Sequence, residues 1–163
     1  MTKTKYNLFA LIPVLAILVQ LGACSKPKPV NKAEVATSFV LAINQNDTKI
    51  VAKLSDTPLS VRNQEWESAQ DGQGFVLGKV QDVKLIDQIH VKNYFSENIQ
   101  KIGVEGTNPI SADLTLLKDE LAGIEGKWQG LDIYLFLRGM GDVEHIFVLG
   151  VNAKGKVSAI YFN

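Results

Sequence analysis

The chain has 163 residues, with 17 lysines and arginines balancing 17 aspartates and glutamates, and a single cysteine. Without a basic excess there is nothing to neutralise a phosphate backbone, which argues against nucleic acid as a partner. One thiol excludes an internal disulfide, and the length suits one compact domain with one core.

In chain order, the first feature is a basic start, Lys3 and Lys5, followed by an uncharged apolar run from Leu8 to Leu21. A transmembrane helix needs about 20 consecutive apolar residues. This run is shorter and is interrupted by Pro13 and Gln20, so it predicts a secretory signal and not a permanent span. It ends in Leu21, Gly22, Ala23 and Cys24. That tetrad resembles a bacterial lipobox, which implies a signal peptide over residues 1–23 and a mature chain beginning at a lipidated Cys24. Two or three acyl chains anchor stably where one binds only marginally, at roughly 0.8 kcal/mol per buried CH₂. By the same resemblance, Ser25 in the next position implies transfer to the outer membrane, with the domain facing the periplasm. Residues 24–30, rich in lysine and proline, predict a short extended tether. Loss of Lys3 and Lys5 leaves 15 basic against 17 acidic side chains, a formal charge of 15 − 17 = −2.

The domain, residues 31–163, opens with a helical period. Asn31 followed by Glu34 predicts a capped helix from about Lys32 to Gln45, with Val35, Phe39, Ala42 and Ile43 on one stripe. Asp47 caps a second helix with Ile50, Val51 and Leu54 on one side. A third short helix is expected between Leu59 and Ala69, carrying Trp66 and stopped by the Asp-Gly-Gln-Gly run at 71–74. Beyond Gly74 the period shifts towards two. One strand is expected through Val83, Leu85, Ile89 and Val91, with His90 on its polar side, and another over Ile110 to Leu117. Residues 131–138, 145–151 and 157–162 read as strong strands, the last two joined by a tight turn in which Gly155 takes a left-handed conformation. Helices first and antiparallel strands afterwards predict an α+β fold with helices on one sheet face.

The segment Phe39 to Leu54, a helix, a small polar turn with Asp47 and a second helix, resembles the opening of nuclear-transport-factor-2-like domains. The closing stretch Val151 to Phe162 is similar to their last hairpin. The order of these motifs, with Trp66 and the strand near Gly78 between them, resembles the members found as lipoproteins or beside secreted hydrolases. The resemblance implies a cone in which a curved, mainly antiparallel sheet wraps against N-terminal helices. Such cones bind small molecules, catalyse, or support dimers and partners, so function has to be argued from residues.

Strict alternation over 131–138 puts Leu131, Ile133, Leu135 and Leu137 on one face and Asp132, Tyr134, Phe136 and Arg138 on the other. The second face mixes aromatic bulk with polar groups, which suits a ligand cavity. The candidate ligand-binding residues are therefore Asp132, Tyr134 and Arg138, with Trp128 and His145 nearby in sequence. The plainer expectation is an open sheet surface with Asp132 and Arg138 as solvated charges, Trp66 and Trp128 at or near the core, His90 exposed and His145 at a boundary. Motifs for zinc hydrolysis, a phosphate loop, a redox pair or a serine elbow are missing, and the one cysteine is assigned to lipid. No catalytic residue, metal or cofactor is expected. Three readings follow: a lipid-anchored, non-catalytic binding or interaction module of the bacterial envelope, with an envelope protein or a second copy as partner; a pocket enzyme using Asp132 or His145 on a small apolar molecule; and a structural envelope subunit. The first is favoured, because the anchor is well marked and catalytic motifs are missing.

Overall fold

Two capped helices open the domain. In the computed structural model, which describes residues 29–138 and 145–163, helix α1 covers Lys32–Asn44 and helix α2 Thr48–Leu54. The caps are those the residues imply: the Asn31 side chain accepts from the Glu34 amide, and the Asp47 carboxylate from the amides of Lys49 and Ile50. The turn between the helices is made by Asn46 at φ 55°, a left-handed position that asparagine tolerates better than other side chains. The expected signal peptide, Cys24 and the expected tether up to residue 28 lie outside the described residues.

The expected third helix is instead a long strand. Strand β1 covers Ser55–Ser68 and pairs with β2, Phe75–Leu85, around the glycine-rich turn. The apolar positions Leu59 and Val61 lie on the main core, while Arg62 and Gln64 bond to groups on the other side of the sheet. That is a period of two, obscured because the second buried face is polar. The next expectation also needs correction. Val83 and Leu85 belong to β2, but Ile89, His90 and Val91 lie in helix α3, Gln88–Asn98. Asp87 ends the alternation by capping this helix, its carboxylate accepting from the amides of Ile89 and His90. Strand β3 is only Ile110–Ala112; residues 114–117 turn into a 3-10 helix behind the capping carboxylate of Asp113.

Strands β4 (Asp132–Leu137), β5 (Ile146–Val151) and β6 (Val157–Phe162) fall where their alternation places them, and Gly155 at φ 70° makes the last turn. The sheet order is β2-β1-β6-β5-β4-β3. Every pair is antiparallel except β1 with β6, which run parallel. The fold is therefore α+β, with helices packed on one face of a curved, mainly antiparallel sheet.

Both faces of that sheet are covered. Between helices and sheet lie Phe39, Phe95, Phe136, Phe147 and Phe162, together with the aliphatic side chains of α1, α2 and α3. Phe39 meets Phe95 edge to face at 5.9 Å, the arrangement their ring quadrupoles favour. On the other face, Ile133, Ile146, Val148, Ala159 and Tyr161 form a second cluster under Leu117, Leu121, Ile124 and Trp128. These last four belong to an irregular covering segment, residues 113–131. Its seat is shaped by a small residue: a Cβ on Gly150 would stand 2.6 Å from Leu131 Cδ1 and 3.2 Å from the Trp128 ring, so the indole rests on bare backbone.

Candidate functional site

Residue by residue, the candidate side chains of β4 separate. Asp132 begins the strand and forms an ion pair with Lys32 of α1, Oδ2 to Nζ 2.9 Å, with half of its side chain in water. Tyr134 is half-buried against the main core, and burial raises its phenol above the ordinary value, with the Asp132 charge adding to the effect. Phe136 is wholly buried. Arg138 follows the strand's end. Six residues of extended chain separate Asp132 from Arg138, about 20 Å at roughly 3.3 Å per residue. One face carries all four, as alternation requires, but they do not meet in one place. The face is also not an open surface, because α1 packs across β4 and β5.

Arg138 is held by main-chain oxygens. Nε donates to Gly103 at 3.3 Å, Nη1 donates to Asn163 and Nη2 to Lys101, and the guanidinium lies 5.5 Å from the centre of the Phe162 ring. Burial lowers its pKa from the usual value, yet an arginine stays charged near neutrality. Arg138 thus clasps the segment after α3 to the end of β6, rather than standing as the solvated charge expected. His145 comes beside it: Nδ1 lies 3.1 Å from the main-chain oxygen of Asn163. Trp66 approaches His145 edge to face, with centroids 6.3 Å apart.

Arg138 and His145 line a cleft of about 640 Å³ with Ile43, Asn44, Lys101 and Glu105. Its walls are the end of α1 and the segment after α3, tied together by the Asn44 side-chain amide donating to the Val104 carbonyl at 2.9 Å. Trp128, the remaining candidate, is fully buried on the opposite face of the sheet. The structure therefore brings together Arg138 and His145, and leaves Asp132 with Tyr134, and Trp128, in two other places. Among the described residues no group of three or more His, Cys, Asp or Glu could hold a metal ion, and no helix is long and apolar enough to cross a membrane.

Two features escaped the sequence. Arg62, 8 % exposed, makes a two-pronged ion pair with Asp82, Nε to Oδ1 2.9 Å and Nη2 to Oδ2 2.8 Å. Its Nη1 donates to the carbonyls of Ala122 (2.9 Å) and Glu120 (3.3 Å), joining the β1–β2 hairpin to the covering segment. The side-chain hydrogen bonding between Arg62 and Asp82 raises the Arg62 pKa and holds the Asp82 carboxyl below its usual range. The second feature is a groove of about 330 Å³ on the face carrying the covering segment, with Trp66 and Leu77 on one side, Ile110 and Leu116 on the other, and Leu135 and Ile146 within it. It is made by residues distant in the chain, and reading 59–69 as a helix hid it. The pairing of Trp66 with Leu77 across β1 and β2 is what places both on one wall.

No family model matches the chain, and no curated protein matches it. Among solved structures, it is similar to an uncharacterized cystatin-fold protein of Novosphingobium aromaticivorans, with TM-score 0.46 and 9 % identity over 82 % of this chain and 98 % of that one. It is also similar to a nuclear-transport-factor-2-like protein of unknown function from Cytophaga hutchinsonii, with TM-score 0.39 and 8 % identity over 84 % of this chain and 92 % of that one. At these identities no residue of either protein maps onto a site of this one.

Proposed function

We propose that the protein is a lipid-anchored, non-catalytic interaction module of the bacterial cell envelope, its domain of the nuclear-transport-factor-2-like kind. The observation that carries this reading is the run Leu21-Gly22-Ala23-Cys24, which closes an uncharged apolar stretch and holds the chain's one cysteine. Ser25 after it points to the outer membrane, with the domain in the periplasm. What favours binding over catalysis is the dispersal of the acid–base candidates: His145 pairs with Arg138 through main-chain hydrogen bonding, at the far end of β4 from Asp132. A general acid and base must reach the same substrate within hydrogen-bond distance, and a separation of about 20 Å prevents these two from doing so. Aromatic side chains also fill the space between helices and sheet where a small apolar substrate would sit.

The test is the full chain carrying Cys24→Ala, expressed in a bacterium fed labelled palmitate. The expected outcome is loss of label and accumulation of unprocessed or soluble protein, with the wild type labelled and recovered in the outer-membrane fraction. Unchanged labelling of the variant rejects the anchor.

A further inference from the structure

We infer that the groove between the β1–β2 hairpin and the β3 edge is the docking site for an extended, apolar segment of an envelope protein that carries basic side chains. The inference rests on the interaction-module reading and names the partner's chemistry. β1 pairs with β6 only as far as Asn63 opposite Phe162, so Gln64 to Ser68 and their partners in β2 continue past the end of β6 as a two-stranded ribbon. On the ribbon's groove side stand Trp66, Leu77 and Phe75, the last half exposed. Facing them, Ile110 is 54 % and Leu116 74 % exposed. A 3-10 turn holds Leu116 out while its neighbour Leu117 packs into the second core cluster. Large apolar side chains exposed around one concavity mark a recognition surface more often than isolated ones do.

Charge selects the occupant. Among the described residues that line the groove, Glu120 is the one with a charged side chain, and no lysine or arginine is among them. An apolar segment with lysines or arginines at its flanks complements that rim, whereas an acidic one is repelled. Position argues against a lipid occupant. Val30, where the tether joins the domain, packs against Gly155 in the β5–β6 turn, and Asn152 of the same turn bonds to Asp56 at the start of β1. From Ser55, opposite Val157, to Asn63, opposite Phe162, β1 advances five residues of β6, and Trp66 lies three further on, about 26 Å in all at roughly 3.3 Å per residue. The groove is thus at the end of the domain remote from the tether, and its acidic rim repels anionic lipid headgroups.

The probe is a labelled synthetic peptide of alternating leucine and threonine with lysine at both ends, and a counterpart with glutamate in place of lysine. Each is titrated by fluorescence anisotropy against the full chain in phospholipid bilayer discs. The lysine peptide is expected to bind roughly tenfold tighter than the glutamate peptide, Leu116→Ser to weaken it roughly tenfold, and Glu120→Lys to reverse the preference. Leu116 is outside both cores, so thermal unfolding of its variant should match the wild type and exclude misfolding as the cause. Equal affinity for the two peptides, or indifference to Leu116→Ser, overturns the proposal. So does a concentration-dependent dimer that Leu116→Ser dissociates, which makes a second copy the occupant, or binding of anionic vesicles by the Cys24→Ala chain that the same substitution removes. The titration works equally on that variant, so loss of the anchor and loss of the groove are read separately.

Discussion

Arg62 illustrates how one side chain can hold two layers together. A guanidinium that is nearly out of water leaves several polar groups unpaired if it is removed: the Asp82 carboxylate, which can rehydrate, and the carbonyls of Glu120 and Ala122. Arg62→Met is expected to lower stability by about 2 kcal/mol, the cost of abandoning charge-assisted hydrogen bonds, measured by urea unfolding at neutral pH. The pair also has a sign in pH. Because the folded pKa of Asp82 is depressed, its contribution is present above the unfolded value of about 3.9 and is lost as pH falls through the lower folded value. The wild type should therefore lose stability over that acid range more steeply than Arg62→Met. Tyr161 shows the same link between burial and charge: desolvation, with Glu120 nearby, pushes its phenol up to about 12, so it remains protonated and donates to Gln64 Oε1 at 3.2 Å. Such partners were not legible in the sequence, because Arg62 and Asp82 become neighbours only through the register of β1 on β2.

Among the elements, legibility followed how local the determining interactions are. The caps of α1 and α2 and the alternation of β4, β5 and β6 are written in adjacent residues, and the structure has them where those residues put them. In the hairpin of β1 and β2, Leu59, Arg62 and Trp66 lie at helical spacing although the chain is extended. The period-two signal was weak, since the second buried face holds Arg62 and Gln64 instead of aliphatic residues. For α3 the signal was present in Asp87, a capping residue placed where strand alternation failed. The covering segment gave no periodic signal at all, being held by Trp128 on Gly150 and by carbonyls to Arg62. Trp128→Ala should cost about 3–5 kcal/mol by the cavity it leaves. Hydrogen exchange should quicken first at the amides of Ile124 and Leu131, which bond within this segment to Leu121 and Trp128, while β4 to β6 remain protected. Uniform loss of protection would show that the segment is not a separate layer.

In the whole domain, Val30 is half exposed, and the buried residues of both clusters run from Ala36 onward among the described residues. Residues 26–163 alone are expected to unfold in one cooperative thermal transition and to show a mixed helix–strand circular dichroism spectrum. A predominantly helical spectrum, or a gradual melt, would contradict the arrangement of two cores on one sheet.

The parallel pair has a temporal consequence. β1 lies between β2 and β6, and Ser60 pairs with Ala159, so this inner strand waits for a neighbour that lies far along the chain. Until then the first hairpin is not joined to the rest of the sheet, and closing so long a loop is slow relative to pairing adjacent strands. A nascent chain with this topology is expected to fold late. That is the condition a polypeptide must meet to be threaded across a membrane behind a signal such as the one its first residues resemble.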